Sequence, residues 1–197
     1  MKSQDLIDCL HERFENRTWG YDIIRWAVSY AQTESGSKDI TYLYNVFRNI
    51  GTCELKRITN VEDMEHLSNC YLVWYKPNAS GIASPFANGS VNYRLDEYTA
   101  AILKGSIPMP CSVINRVESF KEDGLNNNVY IVVGFDTSID KGLVVDGTKG
   151  CLALFYLRRN HNDIFKKLLA SPHSVNVVYL RSPVCRVLFP IDFCRLC

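Results

Sequence analysis

The stretch KGLVVDGTKGCLALFYL, residues 141–157, combines three structural signals. Residues 142–145 are a short apolar run after a glycine, rich in β-branched side chains, which predicts a buried strand. A polar turn with two glycines follows at residues 146–150. Residues 151–157 are apolar on nearly all sides, which predicts a helix buried against a sheet. The order strand, turn, helix predicts an α/β protein.

The polar turn carries groups that could bind an anion. A helix that starts directly after a strand leaves its first N–H groups without intrahelical partners, and such groups attract anions. Thr148 and Lys149 place a hydroxyl and an ammonium beside them. Because the helix macrodipole disfavours a cation at a helix start, Lys149 also favours an anion nearby. The alternative is an ordinary β-turn-α connection in which Asp146 or Thr148 caps the helix.

Length and composition indicate a globular protein with its own core. The chain has 197 residues, of which 47% are hydrophobic. Its formal net charge of +1 gives no bulk electrostatic argument for nucleic acid, and a local basic face stays open. The eight cysteines are scattered singly, as is typical of reduced core thiols. Without a long apolar run or a signal-peptide core, we expect a cytoplasmic protein with no membrane partner.

The rest of the chain predicts a helical N-terminal region followed by an α/β domain. Residues 3–50 show helical spacing of apolar side chains, so their aromatic residues are expected to pack and not to stack on bases. The elements predicted after them are helices at 62–67, 94–104 and 163–169, strands at 70–75, 111–117, 129–135 and 175–180, and loops at 79–92 and 118–128. We divide the chain into a helical region, residues 1–65, and a domain, residues 66–197, that includes an apolar C-terminal tail.

Three sequence segments occur in a recognisable order: AILKG at residues 101–105, PMPCSV at 108–113 and LVVDGTKGCLAL at 143–154. They resemble the superfamily of the ParB N-terminal domain and sulfiredoxin. In that superfamily a helix ending in glycine leads into hPhhV, and a later strand ends in a DG-polar-polar-R turn followed by a helix. The resemblance covers about residues 92–182. It implies a ParB/sulfiredoxin-like mixed sheet with a helical N-terminal extension, an α/β (α+β) fold.

The resemblance also implies a phosphate or nucleotide site at the turn. Members of the superfamily bind the phosphates of CTP or ATP, and some act as kinases, sulfinic acid reductases or nucleases. Gly150 stands where the family has an arginine, and Thr148 where sulfiredoxins have the reactive cysteine, so sulfinic acid reduction is not expected. Lys149 could replace the arginine only as a point charge. The phosphate contacts implied for this chain are Gly147, Thr148, Lys149 and Gly150, with Arg94 and Arg116 from neighbouring elements.

Carboxylate side chains near the turn indicate which chemistry such a site could perform. Asp146 lies in the turn, and Asp96 and Glu97 lie on the helix that borders the same cleft in folds of this kind. A carboxylate pair there could hold Mg²⁺ or act as a general base. Asp146, Glu97 and Thr148 are then the candidate catalytic residues of a Mg²⁺-dependent nuclease or an NTP-using phosphotransferase. The alternative is a solvated helix face for Asp96 and Glu97.

Two functions therefore stay open. The first is a protein that binds a nucleotide or another phosphate-bearing ligand, nucleic acid included, and could act on phosphoryl or phosphodiester bonds. The second is a catalytically inactive regulatory module whose N-terminal helices bind a protein partner. The terminal CxxC, Cys194 to Cys197, could hold zinc together with Cys185 and His173, although a CxxC without a second pair is a weak signal. Walker A, HExxH and GxSxG motifs do not occur.

Overall fold

Helices and strands alternate along the computed structural model, which describes residues 3–14, 28, 44, 52–72, 93–136 and 141–182. The helices in these ranges are α1 (Ser3–Phe14), α2 (Val61–Ser68), α3 (Leu95–Leu103), α4 (Cys111–Glu122), α5 (Thr148–Asn160) and α6 (Asn162–Leu169). The strands are β1 (Thr52–Ile58), β2 (Tyr71–Leu72), β3 (Val129–Asp136), β4 (Lys141–Asp146) and β5 (Val175–Ser182). None of these helices is both long and apolar enough to span a bilayer.

The five strands form one mixed sheet in the order β1-β5-β3-β4-β2. The β1/β5 and β3/β4 pairs are antiparallel, and the β5/β3 and β4/β2 pairs are parallel. This register brings the start of β3, the start of β5 and the ends of β1 and β4 to one end of the sheet, which we call the turn end. There Val175 pairs with both Ile58 and Val129, and β4 stops at Asp146. The predicted α/β (α+β) class is confirmed.

One face of the sheet packs against helices and forms the larger part of the core. Ile131, Val133, Val144, Val175 and Val177 belong to a buried cluster that also contains most of α5. Helix α5 contacts α3, α4, α6 and β3, so nearly all of its surface faces other elements. This position explains its apolar sequence, and the buried helix predicted for residues 151–157 is confirmed.

The opposite face of the sheet is also buried at its centre. Val132, Leu143, Val178 and Leu180 alternate with the residues of the helix-packed face and are at most 2% exposed. A sheet that is buried on both faces reads as near-continuous apolar runs, as the sequences of β3 and β5 do. The sheet is therefore an inner layer of the molecule.

Seven of the predicted elements are confirmed, namely α2, α3, β3, β4, α5, α6 and β5. Helix α1 confirms the first predicted helix, and its Leu6, Leu10 and Phe14 are buried at helical spacing. Strand β2 confirms part of the strand predicted for residues 70–75. Apart from residues 28 and 44, which are helical, the remainder of the N-terminal helical region lies outside the described residues. The loop predicted at 79–92 and the tail from residue 183 lie outside them as well.

The strand predicted for residues 111–117 is wrong, because these residues form the first part of α4. Val113, Val117 and Phe120 are buried at positions i, i+4 and i+7, which is the period of a helix. Ile114 is 42% exposed, so the β-branched run does not alternate as a strand would. The loop predicted from residue 118 therefore begins only after α4 ends at Glu122. The PMPCSV segment of the family resemblance spans three residues outside regular secondary structure and the start of α4.

Strand β1 has no counterpart among the predicted elements. It pairs with β5 along its whole length, although Glu54, Lys56 and Arg57 interrupt its apolar pattern. Residues 52–58 are thus part of the sheet. The division of the chain at residue 65 also falls inside α2, so it does not follow the secondary structure.

A network of hydrogen bonds joins β1 to α2. The Asn60 side chain caps α2 by accepting from the Asp63 N–H at 2.8 Å. Asp63 accepts from the Thr59 N–H at 2.9 Å and the Thr59 hydroxyl at 3.0 Å, and pairs with Lys56 at 3.1 Å. The Thr59 N–H, followed by the lesser contributions of Lys56 and the hydroxyl, lowers the pKa of Asp63 to about 2.

Candidate functional site

Gly147 makes the tight connection between β4 and α5. Its φ is +74°, in the left-handed region that side chains disfavour. A Cβ at this position would lie 2.3 Å from the carbonyl oxygen of Tyr130 and 3.0 Å from the Cα of Ile131. Both the backbone conformation and the close approach to β3 therefore require glycine. Gly147 is also the N-cap of α5, so the helix-capping role considered for Asp146 or Thr148 is wrong.

The first turn of α5 presents backbone donors toward the turn end of the sheet. The Gly147 carbonyl accepts from the Cys151 N–H at 2.8 Å, which is the first hydrogen bond of the helix. The N–H groups of Thr148, Lys149 and Gly150 precede that bond and have no intrahelical acceptor. Since α5 is 13 residues long, its macrodipole adds partial positive charge at the same place.

Thr148 is a buried residue whose hydroxyl lies beside these donors. The residue is 7% exposed, and its hydroxyl makes no hydrogen bond within the described ranges. Among the described side-chain atoms, Asp96 Oδ1 alone is both sealed from solvent and without a hydrogen-bond partner. The Thr148 hydroxyl therefore keeps contact with solvent at the start of α5. A hydroxyl that reaches solvent and makes no hydrogen bond to a described residue can donate to a ligand or accept from it.

Lys149 and Gly150 complete the turn. The Lys149 side chain is exposed, and its ammonium forms no ion pair with a residue in the described part of the chain. Gly150 has no positive φ, and a Cβ there would meet only Val129 Cγ1, at 3.4 Å, an ordinary contact distance. A Cβ at residue 150 would therefore fit, in contrast to residue 147.

Asp146 ends β4 beside the turn, whereas the predicted carboxylate partner lies elsewhere. Asp146 is half-buried, pairs with Val132 in the sheet and already has an interaction partner. Glu97 lies at the start of α3, where its Oε1 accepts from Arg94 Nη2 at 2.6 Å and its Oε2 accepts from the Arg94 N–H at 3.1 Å. The hydrogen bond from the Arg94 guanidinium lowers the pKa of Glu97, and Glu97 in turn raises the pKa of Arg94.

The sheet register separates this ion pair from the turn. Arg94 bridges to Tyr71, and Tyr71 pairs with Leu143, three residues before Asp146. With about 3.3 Å per residue along a strand and about 4.8 Å between strands, the backbones of Arg94 and Asp146 are roughly 14 Å apart. The structure therefore does not bring Asp146 and Glu97 together as a carboxylate pair.

The other predicted site residues lie at α3 and on α4. Asp96 neighbours Arg94, with 4.0 Å between Asp96 Oδ1 and Arg94 Nε. Arg116 is exposed on α4, where its guanidinium lies 5.7 Å from the centroid of the Phe120 ring. Gly147, Thr148, Lys149 and Gly150 share one location with Asp146, which they follow directly in the chain.

The turn offers one carboxylate for Mg²⁺ and not the predicted carboxylate pair. A protein-bound Mg²⁺ needs near-octahedral oxygen ligands, usually from one or two carboxylates together with substrate phosphates. Asp146 is the one predicted carboxylate at the turn, and within the described ranges no group of three His, Cys, Asp or Glu side chains could hold a metal ion. Cys185, Cys194 and Cys197, the thiols of the zinc hypothesis, lie outside those ranges.

Cys151, the first residue after the turn, is not a nucleophile candidate. Its side chain is fully buried, and burial raises the pKa of its thiol well above the usual value. Burial likewise raises the pKa of Cys70 to about 12. Because the thiolate is the reactive form, both thiols are chemically quiet in the folded protein.

A polar network at the turn end was not expected from the sequence. Asn128 Oδ1 accepts from the Ser174 N–H at 2.9 Å and from its hydroxyl at 3.2 Å, and Asn176 Nδ2 donates to the Ser174 hydroxyl at 2.8 Å. These bonds fix the starts of β3 and β5 beside the turn. Their sequence signal, the last of three consecutive asparagines directly before a strand, is also typical of a surface loop.

Comparison with known proteins gives no further assignment. No protein family model matches the chain, and no curated protein and no solved structure matches it either.

Proposed function

We propose that the chain binds a phosphate-bearing ligand, such as a nucleotide, at the start of α5. The observation that carries this proposal is the Thr148 hydroxyl, which reaches solvent at the start of α5, makes no hydrogen bond to a described residue and lies beside backbone donors without intrahelical acceptors. The neighbouring Lys149 ammonium is unpaired in the described ranges and supplies the counter-charge. A phosphate group uses this combination of N–H, hydroxyl and ammonium donors.

Gly147 supports the proposal through the path of the backbone. Its left-handed conformation turns the chain sharply from β4 into α5, so the first helical N–H groups point out of the end of the sheet. The ligand would therefore be held by backbone groups that are fixed by a buried strand and a buried helix. Preorganised donors of this kind bind an anion without an ordering cost.

We restrict the proposal to binding. The predicted nuclease or phosphotransferase mechanism uses Asp146 and Glu97 together, and the sheet register places the backbone of Arg94, the partner of Glu97, roughly 14 Å from that of Asp146. Glu97 is also neutralised by its hydrogen bonds with Arg94. The alternative is a module that binds a protein partner through its N-terminal helices. Helix α1 does not support it, because its apolar residues Leu6 and Leu10 are buried and not available to a partner.

The test is isothermal titration calorimetry with inorganic phosphate and a panel of nucleotides, with and without Mg²⁺. We expect inorganic phosphate to bind with a dissociation constant on the order of 1 mM, and a nucleotide to bind more tightly. Lys149→Ala should weaken binding at least about tenfold, because one charge-assisted hydrogen bond is worth roughly 1.5–3 kcal/mol and about 1.4 kcal/mol is a factor of ten. The matched control is Lys166→Ala on α6, which removes another exposed lysine and should leave the affinity unchanged.

Thr148→Val separates ligand binding from folding. Valine has nearly the same shape as threonine, and the lost hydroxyl has no protein hydrogen bond in the described ranges. We therefore expect unchanged or slightly higher stability together with weaker phosphate binding. Binding that survives in both Thr148→Val and Lys149→Ala would place the ligand elsewhere.

Gly150→Arg is the corresponding gain-of-function variant. It restores the arginine of the resembled family, and a Cβ at residue 150 makes only an ordinary contact with Val129. A guanidinium can contact phosphate with two parallel hydrogen bonds, so we expect affinity to increase at least tenfold. If neither the wild type nor Gly150→Arg binds any member of the panel, the phosphate proposal is rejected and the interaction module is favoured.

A further inference from the structure

Asn128, the residue directly before β3, carries an amide whose two ends have different surroundings. Its Oδ1 accepts from the Ser174 N–H at 2.9 Å and from the Ser174 hydroxyl at 3.2 Å. Because a backbone N–H can only donate, this contact identifies the oxygen end of the amide. Asn128 is exposed, and its Nδ2 group makes no hydrogen bond to a residue of the described ranges. Asn128 therefore presents two N–H donors whose direction is fixed.

The start of β3 lies beside the first turn of α5. A Cβ at Gly150 would meet Val129 Cγ1 at 3.4 Å, and a Cβ at Gly147 would meet the carbonyl of Tyr130. Asn128 directly precedes Val129, so the Cα atoms of Asn128 and Gly150 are within about 11 Å of each other. The Asn128 amide and the N–H groups at the start of α5 can therefore contact the same ligand.

The amide of Asn128 is turned toward the side of β3 on which α5 begins. Strand β5 lies on one side of β3, and β4, which leads into α5, lies on the other. Since Oδ1 is bound to Ser174 at the start of β5, Nδ2 points away from β5. Asn176, which is 6% exposed, donates to the Ser174 hydroxyl at 2.8 Å and fixes it. A donor that is held in place in this way costs little to order when a ligand binds.

The two sets of donors are adjacent but separate. The Val129 side chain contacts Gly150 and so lies between α5 and Asn128. One phosphate group that is bound by Thr148, Lys149 and the N–H groups of α5 leaves the Asn128 amide free. A second phosphate group linked to the first would extend toward the start of β3 and accept from Nδ2. The simplest ligand with two linked phosphate groups is pyrophosphate.

We propose that Asn128 is a second binding residue of the phosphate site and selects ligands with two linked phosphate groups over orthophosphate. This inference rests on the proposed function of the start of α5. Asn128 Nδ2 donates to the second phosphate group, whereas Thr148 and Lys149 bind the first. Ser174 is a positioning residue, because it holds the amide oxygen and acts through Asn128.

Calorimetric titration of the full chain with orthophosphate and with pyrophosphate tests the proposal. We expect the wild type to bind pyrophosphate at least about tenfold more tightly, because the second group gains a hydrogen bond to a charged acceptor. Asn128→Asp has nearly the same shape and keeps an oxygen for Ser174, but it replaces the donor by a carboxylate. It should weaken pyrophosphate binding at least about tenfold and orthophosphate binding less than about threefold.

Asn126→Asp is the matched control. It adds the same charge two residues away, at an exposed side chain that makes no hydrogen bond to a described residue. Because solvent and salt screen exposed charges, it should change the affinity for pyrophosphate less than about threefold. An equal loss of affinity in both variants would assign the effect to net charge and overturn the role of Asn128. Urea unfolding checks that both variants are folded.

A second measurement needs no substitution at the site. In protein labelled with ¹⁵N, the side-chain amide resonances of Asn128 should shift when pyrophosphate binds and shift less when orthophosphate binds. Side-chain resonances that do not move at saturating pyrophosphate would contradict the proposed hydrogen bond. Asn128→Asp serves here to assign the resonances, because it removes them.

The outcomes separate this inference from the proposed function. A wild type that binds orthophosphate, together with an Asn128→Asp variant that keeps the full preference for pyrophosphate, overturns the role of Asn128 and leaves the phosphate site in place. A wild type that binds neither ligand rejects both the site and the role of Asn128.

Discussion

Replacing Gly147 by alanine is expected to destabilise the protein by about 2–5 kcal/mol. Two contributions lead to this magnitude. A side chain in the left-handed conformation, here with φ at +74°, costs roughly 1–2 kcal/mol. The new Cβ would also lie 2.3 Å from the Tyr130 carbonyl oxygen, so β3 or the turn must move, and overpacking of this kind costs roughly 1–3 kcal/mol.

Gly105→Ala is the matched control for this prediction. Gly105 has nearly the same φ, +70°, but a Cβ there would have no atom within 4 Å. Its substitution should cost only the conformational part, about 1–2 kcal/mol. The difference between the two variants therefore isolates the close approach of the turn to β3.

Urea unfolding at pH 7 measures both variants, with the free energy of unfolding extrapolated linearly to water. We expect Gly147→Ala to be less stable than Gly105→Ala by about 1–3 kcal/mol. If the two variants are equally destabilised within about 0.5 kcal/mol, the steric argument for Gly147 is refuted. The first turn of α5 would then be able to shift away from β3 at little cost in free energy.

Three further predictions concern acid stability, core packing and thiol reactivity. The pKa of Asp63 is about 2 in the folded protein and near 3.8 without its partners. The ionised carboxylate therefore stabilises the folded protein fully above pH 4, and this stabilisation is lost as the pH falls toward 2. Asp63→Asn should therefore cost roughly 2 kcal/mol at pH 7 and little at pH 2, as measured by urea unfolding at both pH values. Phe165→Ala should cost about 3–5 kcal/mol, since Phe165 is fully buried, whereas Ile114→Ala, at a residue 42% exposed, should change the unfolding free energy by under about 1 kcal/mol. Peptide-level mass spectrometry after brief alkylation should find Cys111, which is exposed, modified before the buried Cys151, and early modification of Cys151 would contradict its burial.

Local sequence patterns were sufficient for the elements around the turn. The β-branched run before Asp146 and the apolar segment after Gly150 each carry a signal within a few residues, and both the strand and the helix are confirmed. The sequence also located the polar turn between them. It did not distinguish between the two glycines, of which only Gly147 is required by its backbone conformation and surroundings.

The same local patterns failed where a segment carries signals for both a strand and a helix. Residues 111–117 contain three β-branched side chains, which favour a strand, but Val113 and Val117 are spaced for a helix and pack against the core. Burial on one side of α4 decided the outcome, and burial depends on the α5 helix that lies beside it. Strand β1 was missed for a related reason, since its charges are tolerated only because it lies at an edge of the sheet.

By itself, the sequence determined the α/β class, most of the elements and the place of the anion-friendly turn, because these follow from periodicity and from glycine chemistry within short windows. Only the tertiary structure decided which side chains meet. Glu97 and Asp146 are 49 residues apart in sequence, and the pairing of β2 with β4 sets the roughly 14 Å between the Arg94–Glu97 pair and the turn. Strand order and register are long-range properties, so no local pattern could have separated these two carboxylates or shown that Thr148 and Lys149 have no side-chain partner among the described residues.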